Sequence, residues 1–102
     1  MREYKFKRGF KPDEDRLVDM LKRYFGGFEK DGKFYVVRFG AIEEMRVWIE
    51  KKKLYVDMRT NPRVSDEVAT KTLKAYNRFL EELTGYTAKE RARMMRKDVE
   101  SC

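Results

Sequence analysis

The side chains that most often carry out catalysis are scarce in this sequence. It has no histidine, and its single cysteine, Cys102, is the last of 102 residues. The commonest general base is therefore missing, and one thiol cannot form a four-ligand zinc site. Tyr, Lys, Asp and Glu suffice for some reactions, so the question of an enzyme stays open. The sequence leans against one and predicts no cofactor and no metal.

Two groups of residues resemble binding motifs but have simpler explanations. The acidic residues 13–15 follow Pro12, and consecutive acids at a helix start act as caps and interact favourably with the helix dipole. Gly26-Gly27 follows a predicted helix rather than a strand, which indicates a helix end and not a phosphate-binding loop. We therefore predict helix boundaries at both places.

Basic residues are the strongest functional signal. The net charge is +7, and the positive residues cluster near both ends of the chain and at a predicted hairpin tip. Clusters of this kind can form one footprint for phosphates. The candidate nucleic-acid-binding residues are Lys5, Lys7, Arg8, Lys51, Lys52, Lys53, Arg91, Arg93, Arg96 and Lys97. The alternative is that they only solubilise the surface, with the hairpin lysines protecting a sheet edge.

The elements that must position these residues are predicted in the order β-α-β-β-β-α-α. The predicted segments are a strand around Tyr4 and Phe6, a helix from Pro12 to Gly26, strands at 33–39, 42–49 and 54–59, and helices capped by Ser65 and by Thr87 with Glu90. This order predicts an α+β domain over residues 1–97, with a small antiparallel sheet and helices packed on one face. Residues 98–102 are expected to fray.

A turn centred on Lys51-Lys52 predicts the register of the last hairpin. The pairs expected on the core face are Ile49 with Leu54, Val47 with Val56, and Met45 with Met58; those on the other face are Trp48 with Tyr55, Arg46 with Asp57, and Glu44 with Arg59. A slip of one residue loses every match. Because lysine is a poor residue for the positive φ of a tight turn, we expect a four-residue loop with the same register.

The same reasoning predicts that the second sheet face is apolar. A turn at Gly40-Ala41 sets Val36 opposite Met45 and Phe34 opposite Val47. The interface candidates on the second face are then Tyr35, Val37, Phe39, Trp48 and Tyr55. We predict a homodimer interface or partner surface there, since large apolar patches mark binding sites. The alternatives are a cover supplied by a terminal element or by arginine stems, and a small-molecule pocket.

The remaining composition bears on location and source. One terminal cysteine suggests a reducing compartment, the first residues lack the apolar stretch of a signal peptide, and no apolar run approaches the length of a membrane span. We therefore expect a cytoplasmic protein that does not bind membranes. Abundant Lys, Arg and Glu without Gln is typical of a thermophilic source.

Both ends of the chain resemble a small archaeal family of unknown function, found in methanogens and their relatives. The residues that carry the resemblance are Glu3-Tyr4-Lys5-Phe6-Lys7-Arg8-Gly9-Phe10 and Leu83-Thr84-Gly85-Tyr86-Thr87-Ala88-Lys89-Glu90-Arg91. The resemblance extends over almost the whole chain and implies no activity, substrate or catalytic residue. The preferred hypothesis is therefore a non-enzymatic interaction module that self-associates, and the alternative is a nucleic-acid-binding protein.

Overall fold

The structure, a computed structural model, describes residues 2–93, in which strands and helices follow the predicted α+β order. The strands are β1 (Arg2–Lys5), β2 (Glu29–Asp31), β3 (Phe34–Phe39), β4 (Ile42–Glu50) and β5 (Lys53–Thr60), and the helices are α1 (Glu14–Phe25) and α2 (Asp66–Thr84). A third helix begins at residue 88 and is described as far as residue 93. The α+β prediction is confirmed, and the structure adds the short strand β2. The expected frayed tail at 98–102 lies outside the described residues.

All neighbouring strands of the sheet are antiparallel, in the order β1-β5-β4-β3-β2. β1 lies at one edge, where Tyr4 pairs with Leu54 and Lys5 pairs with Lys53. The buried Tyr4 hydroxyl lies 3.0 Å from the hydroxyl of Tyr76 in α2, which ties this edge to the helix layer. Burial raises the pKa of Tyr76 well above its ordinary value. The first strand is therefore held at the edge of the sheet by both β5 and α2.

The helices end at the glycines that the sequence indicates, and α2 is capped by Ser65 as predicted, but α1 begins at Glu14, two residues after the predicted start at Pro12, with Asp13 as its cap. The Asp13 carboxylate accepts a hydrogen bond from the Asp15 amide at 2.9 Å, and Ser65 accepts one from the Val68 amide at 3.3 Å. Gly26 ends α1 in a left-handed conformation, as Gly85 does for α2. The acidic residues 13–15 and the diglycine are thus explained by helix capping.

Both helices pack on one face of the sheet and enclose the core. The fully buried core side chains include Leu17, Leu21, Met45, Val47, Leu54, Phe79, Leu80 and Leu83. In the first half of α2, the side chain of Thr72 faces the sheet, where its hydroxyl accepts a hydrogen bond from the Ala41 amide at 2.9 Å. Leu73, the next residue, remains 59% exposed.

The β4–β5 hairpin has the register predicted from side-chain matching. All six predicted pairs occur, from Ile49 with Leu54 to Glu44 with Arg59. The expected four-residue loop is wrong, however. Glu50 pairs with Lys53, so the turn contains two residues, and Lys51 and Lys52 adopt left-handed φ values of 52° and 63°. The pairing along the strands therefore prevails over the poor turn preference of lysine.

The predicted β3–β4 register is wrong beyond the first pair. Phe39 pairs with Ile42 as the Gly40-Ala41 turn requires, but Val37 then pairs with Met45 and Tyr35 with Val47. The ladders on both sides of β4 shift by one residue near Glu43, which is the extra residue of a β-bulge. A bulge of one residue exchanges the two faces of the strand beyond it, because side chains alternate with a period of two.

The bulge corrects the placement of three predicted interface residues. Tyr35 and Val37 are 5% and 1% exposed and belong to the helix-covered core, and Phe39 packs at 5.4 Å against the Phe25 ring of α1. Trp48 and Tyr55 do lie on the other face. There they are joined by Phe34 and Val36, which the predicted register placed on the core side.

Candidate functional site

Basic residues from distant parts of the sequence meet at one end of the molecule. We call this surface the basic end and define it as Lys5, Lys7, Arg8, Lys51, Lys52 and Lys53. Lys5 pairs with Lys53 across β1 and β5, immediately beside the hairpin tip. Two residues further, the Lys7 amide donates to the Thr84 carbonyl at 2.7 Å, and the Lys7 ammonium lies 3.7 Å from Glu90 of the third helix. The structure thus brings the amino-terminal and hairpin clusters together and places the start of the third helix beside Lys7.

Acidic side chains neutralise only part of the basic end. Lys53 contacts Glu3 at 2.6 Å, which raises the pKa of the lysine, and Lys7 contacts Glu90. Lys5, Arg8, Lys51 and Lys52 are exposed and have no acidic partner among residues 2–93. Within residues 2–93 their charge is therefore not neutralised, and the four cations repel one another.

The third helix begins with a capping box, and one of its two residues, Glu90, also contacts Lys7 of the basic end. The Thr87 hydroxyl accepts from the Glu90 amide, and the Glu90 carboxylate accepts from the Thr87 amide, both at 3.1 Å, as the sequence predicts. The bond from the Thr87 amide is the main cause that lowers the pKa of Glu90. This box holds the start of the helix against Lys7.

Arg91 has a different role from the other predicted nucleic-acid contacts. It is 8% exposed and donates to the Tyr86 carbonyl at 2.6 Å and to the Asn77 side chain at 3.1 Å, and burial lowers its pKa. Arg91 therefore anchors the third helix to α2 rather than facing solvent. Arg93 is exposed, whereas Arg96 and Lys97 lie outside the described residues.

The sheet face that α1 and α2 leave uncovered, here called the open face, carries an aromatic row. The Phe34 ring meets Trp48 edge-on at 5.0 Å, and Trp48 stacks on Tyr55 at 5.5 Å with an interplanar angle of 13°. Trp48 and Val36 are only 9% and 6% exposed, whereas Phe34 and Tyr55 are partly exposed. The face is therefore less apolar at its surface than the sequence suggests.

Basic and acidic side chains that form ion pairs with one another surround this row. Arg46 contacts Asp31 at 3.9 Å and Glu44 at 3.6 Å, and Arg38 contacts both Glu29 and Glu44. Further pairs join Lys33 to Glu50 and Arg59 to Glu43. The open face is thus close to neutral, unlike the basic end.

Sequence reasoning missed Phe34 and Val36 because it kept strict alternation through β4. The missed signal is the spacing from Ile42 to Met45. Both residues are buried in the core, yet they are three positions apart, which a strand of period two cannot place on one face without a bulge. The apolar spacing around Glu43 could therefore have indicated the change of face.

A groove between α2 and the ends of β4 and β5 is the most apolar concavity described. It has a volume of about 330 Å³ and is lined by Ala41, Ile42, Met58, Thr60, Asn61, Pro62, Ala69, Thr72, Leu73 and Tyr76. None of these residues is a carboxylate, an amine or a thiol, so the groove offers no acid–base pair or strong nucleophile. Within residues 2–93 no three Asp, Glu, His or Cys side chains come together as a metal site.

These features define a two-layer α+β protein with one basic end and one charge-balanced sheet face. The family model for a domain of unknown function, DUF5611, matches residues 1–97, and the chain belongs to this family. The chain is also similar to the solution structure of hypothetical protein TA0095 from Thermoplasma acidophilum. That similarity has a TM-score of 0.67 at 31% identity and covers 93% of this chain and 97% of the other.

The matching family is thus one of unknown function, and the similar hypothetical protein comes from an archaeon. No curated protein matches the chain. In the part of the chain that the structure describes, no helix is long and apolar enough to cross a membrane. Function must therefore be inferred from the surfaces themselves.

Proposed function

We propose that this protein binds nucleic acid through the basic end. The observation that carries the proposal is the contact between segments that are far apart in the sequence: Lys5 stands beside Lys53, and Lys7 contacts Glu90 of the third helix. Phosphates attract such a surface without base-specific contacts, and each neutralised phosphate releases counterions. Part of the net charge of +7 is thus concentrated at the basic end.

The hairpin tip supports the proposal independently. A two-residue turn with left-handed φ at both positions favours Asn and Gly, yet this chain has Lys51 and Lys52 there. Non-glycine residues in that conformation cost of order 1 kcal/mol each. Two exposed cations at strained positions are readily explained if their charge is used.

Salt-dependent binding tests the proposal. We expect a fluorescein-labelled 20-nucleotide strand to bind at low salt, with log K falling steeply as log salt rises. The double variant Lys51→Glu, Lys52→Glu should bind more weakly and reduce that slope by about two. The matched control is Lys71→Glu with Lys74→Glu, two exposed lysines on α2 with the same change of charge. Absence of binding at low salt, or equal losses in both double variants, would contradict the proposal.

Self-association through the open face is the second candidate. It is supported by partly exposed Phe34 and Tyr55 on a face that the described helices leave uncovered, and by charges of both signs that suit a self-complementary contact. It ranks second because Trp48 and Val36 are already covered within one chain, which leaves little apolar area to bury. We expect sedimentation equilibrium to show a dimer that Phe34→Glu dissociates; a monomeric wild-type protein at high concentration would refute it.

A further inference from the structure

We infer that the nucleic acid is single-stranded and that its bases stack on the partly exposed rings of Phe34 and Tyr55, the two ends of an aromatic row with Trp48 at its centre. This inference rests on the proposed function and specifies its ligand. Proteins that bind single strands combine positive charge along the backbone path with aromatic rings for the bases. Both parts occur here in adjacent positions.

The row begins two residues from the basic end. Lys53 and Tyr55 point to the same side of β5, since residues two apart in a strand share a face. Tyr55 pairs with Trp48 on β4, and the Trp48 ring contacts Phe34 on β3. A nucleic-acid strand whose phosphates lie on the hairpin lysines therefore has the partly exposed ring of Tyr55 about 7 Å further along β5. The ring of Phe34 follows across two ring contacts of 5.5 Å and 5.0 Å.

A second lysine stands at the far end of the row. The Lys33 ammonium lies 5.5 Å from the Phe34 ring centroid and 5.9 Å from that of Trp48. Lys53 and Lys33 thus bracket the rings across three strands, β5, β4 and β3. This spacing places an ammonium group on both sides of the bases that stack between them. Because Lys33 also contacts Glu50 and Lys53 contacts Glu3, phosphates bind there in competition with these two carboxylates.

The helices favour a single strand over a duplex. In a duplex the base faces are stacked on one another, and sequence is read by an element that enters a groove. The long helices α1 and α2 begin with Glu14, Asp15, Asp66 and Glu67, whose carboxylates repel phosphates. Neither amino-terminal turn is therefore suited to a phosphate-lined groove, whereas the aromatic row can accept only unpaired bases.

The test uses Trp48, the only tryptophan, as its reporter. We expect an unlabelled single strand of RNA or DNA to change Trp48 fluorescence and to bind at least tenfold more tightly than a duplex of equal length. Tyr55→Leu should weaken single-strand binding about tenfold, the effect of losing one stacked base, while the salt slope stays unchanged. Tyr24→Leu, on α1, is the matched control.

The outcomes separate the two proposals. If single strand and duplex bind equally, or Tyr55→Leu binds like Tyr24→Leu, stacking is refuted while binding by the basic end stands. If neither nucleic acid binds at low salt, both proposals fail. Should Tyr55→Leu not fold, Phe34→Leu addresses the other end of the row with the same expected loss, and unchanged affinity in that folded variant overturns the inference.

Discussion

The open face and the basic end differ in how their charges are neutralised. On the open face Arg38 and Arg46 each contact two acidic side chains, whereas at the basic end Lys51 and Lys52 have none among residues 2–93. Exposed ion pairs contribute little to stability, about 0–1 kcal/mol each. They do keep the sheet face neutral, so the excess positive charge is concentrated elsewhere.

This difference indicates that the side chains of the two regions contribute to stability in opposite directions. On the open face, rings pack on rings and charges meet opposite charges, so side chains there stabilise the fold. At the basic end, lysines repel one another and two occupy strained backbone, so side chains there reduce stability. Substitution of the buried Trp48 should therefore act mainly on stability, and substitution of the exposed Lys51 and Lys52 mainly on binding.

The largest effect is expected on the free energy of unfolding when a buried ring of the open face is removed. Trp48→Ala removes a ring that is 9% exposed and contacts both Phe34 and Tyr55, and we expect a loss of about 3 kcal/mol in the free energy of unfolding. Lys51→Ala with Lys52→Ala should change it by less than about 0.5 kcal/mol. Urea unfolding followed by circular dichroism measures both.

Trp48→Phe sharpens this prediction. The Trp48 Nε1 atom is buried and has no hydrogen-bond partner among the described residues. Removing an unsatisfied donor offsets part of the lost contact, because such a group costs about 1–3 kcal/mol. We therefore expect Trp48→Phe to cost much less than Trp48→Ala; equal costs would show that the ring contacts contribute little.

The second effect is a gain in stability at the basic end. Lys51→Asn with Lys52→Gly supplies the residues that a two-residue turn with left-handed φ favours, and we expect stabilisation of about 1–2 kcal/mol. The same variant should bind nucleic acid more weakly, because two cations are lost. Lys51→Asn with Lys52→Asn tests whether relief of strain alone suffices. An unchanged melting temperature in both variants would show that the lysines are not strained.

The sequence is most informative where two strands constrain each other. For β4 and β5, apolar pairs on one face and an aromatic pair with opposite charges on the other leave one register, and the structure has it. The capping box of Thr87 and Glu90 is equally local and is confirmed. Such features depend on neighbours that are visible in the sequence.

Features that depend on the whole fold were harder to predict. The bulge at Glu43 moves Tyr35 and Val37 into the core, and strict alternation cannot reveal an extra residue. The strand β2 is Glu29-Lys30-Asp31, fully exposed and without apolar alternation, and it forms because β3 offers an edge. Likewise, only the pairing of β1 with β5 shows that the amino-terminal lysines adjoin the hairpin.

The smallest effect concerns Glu90, which links the third helix to the basic end. Its pKa in the folded protein lies below the ordinary value because the carboxylate accepts the Thr87 amide, with Lys7 contributing. A group with a depressed folded pKa stabilises the protein above its unfolded pKa, about 4.3, and loses that contribution as pH falls through the folded value. NMR titration between about pH 6 and pH 3 should show Glu90 protonating below the ordinary glutamate value of about 4.3. Glu90→Gln, which keeps an acceptor, should remove the acid-dependent change at the Thr87 amide. Protonation of Glu90 at the ordinary glutamate value would instead mean that the capping box does not hold the start of this helix against Lys7 in solution.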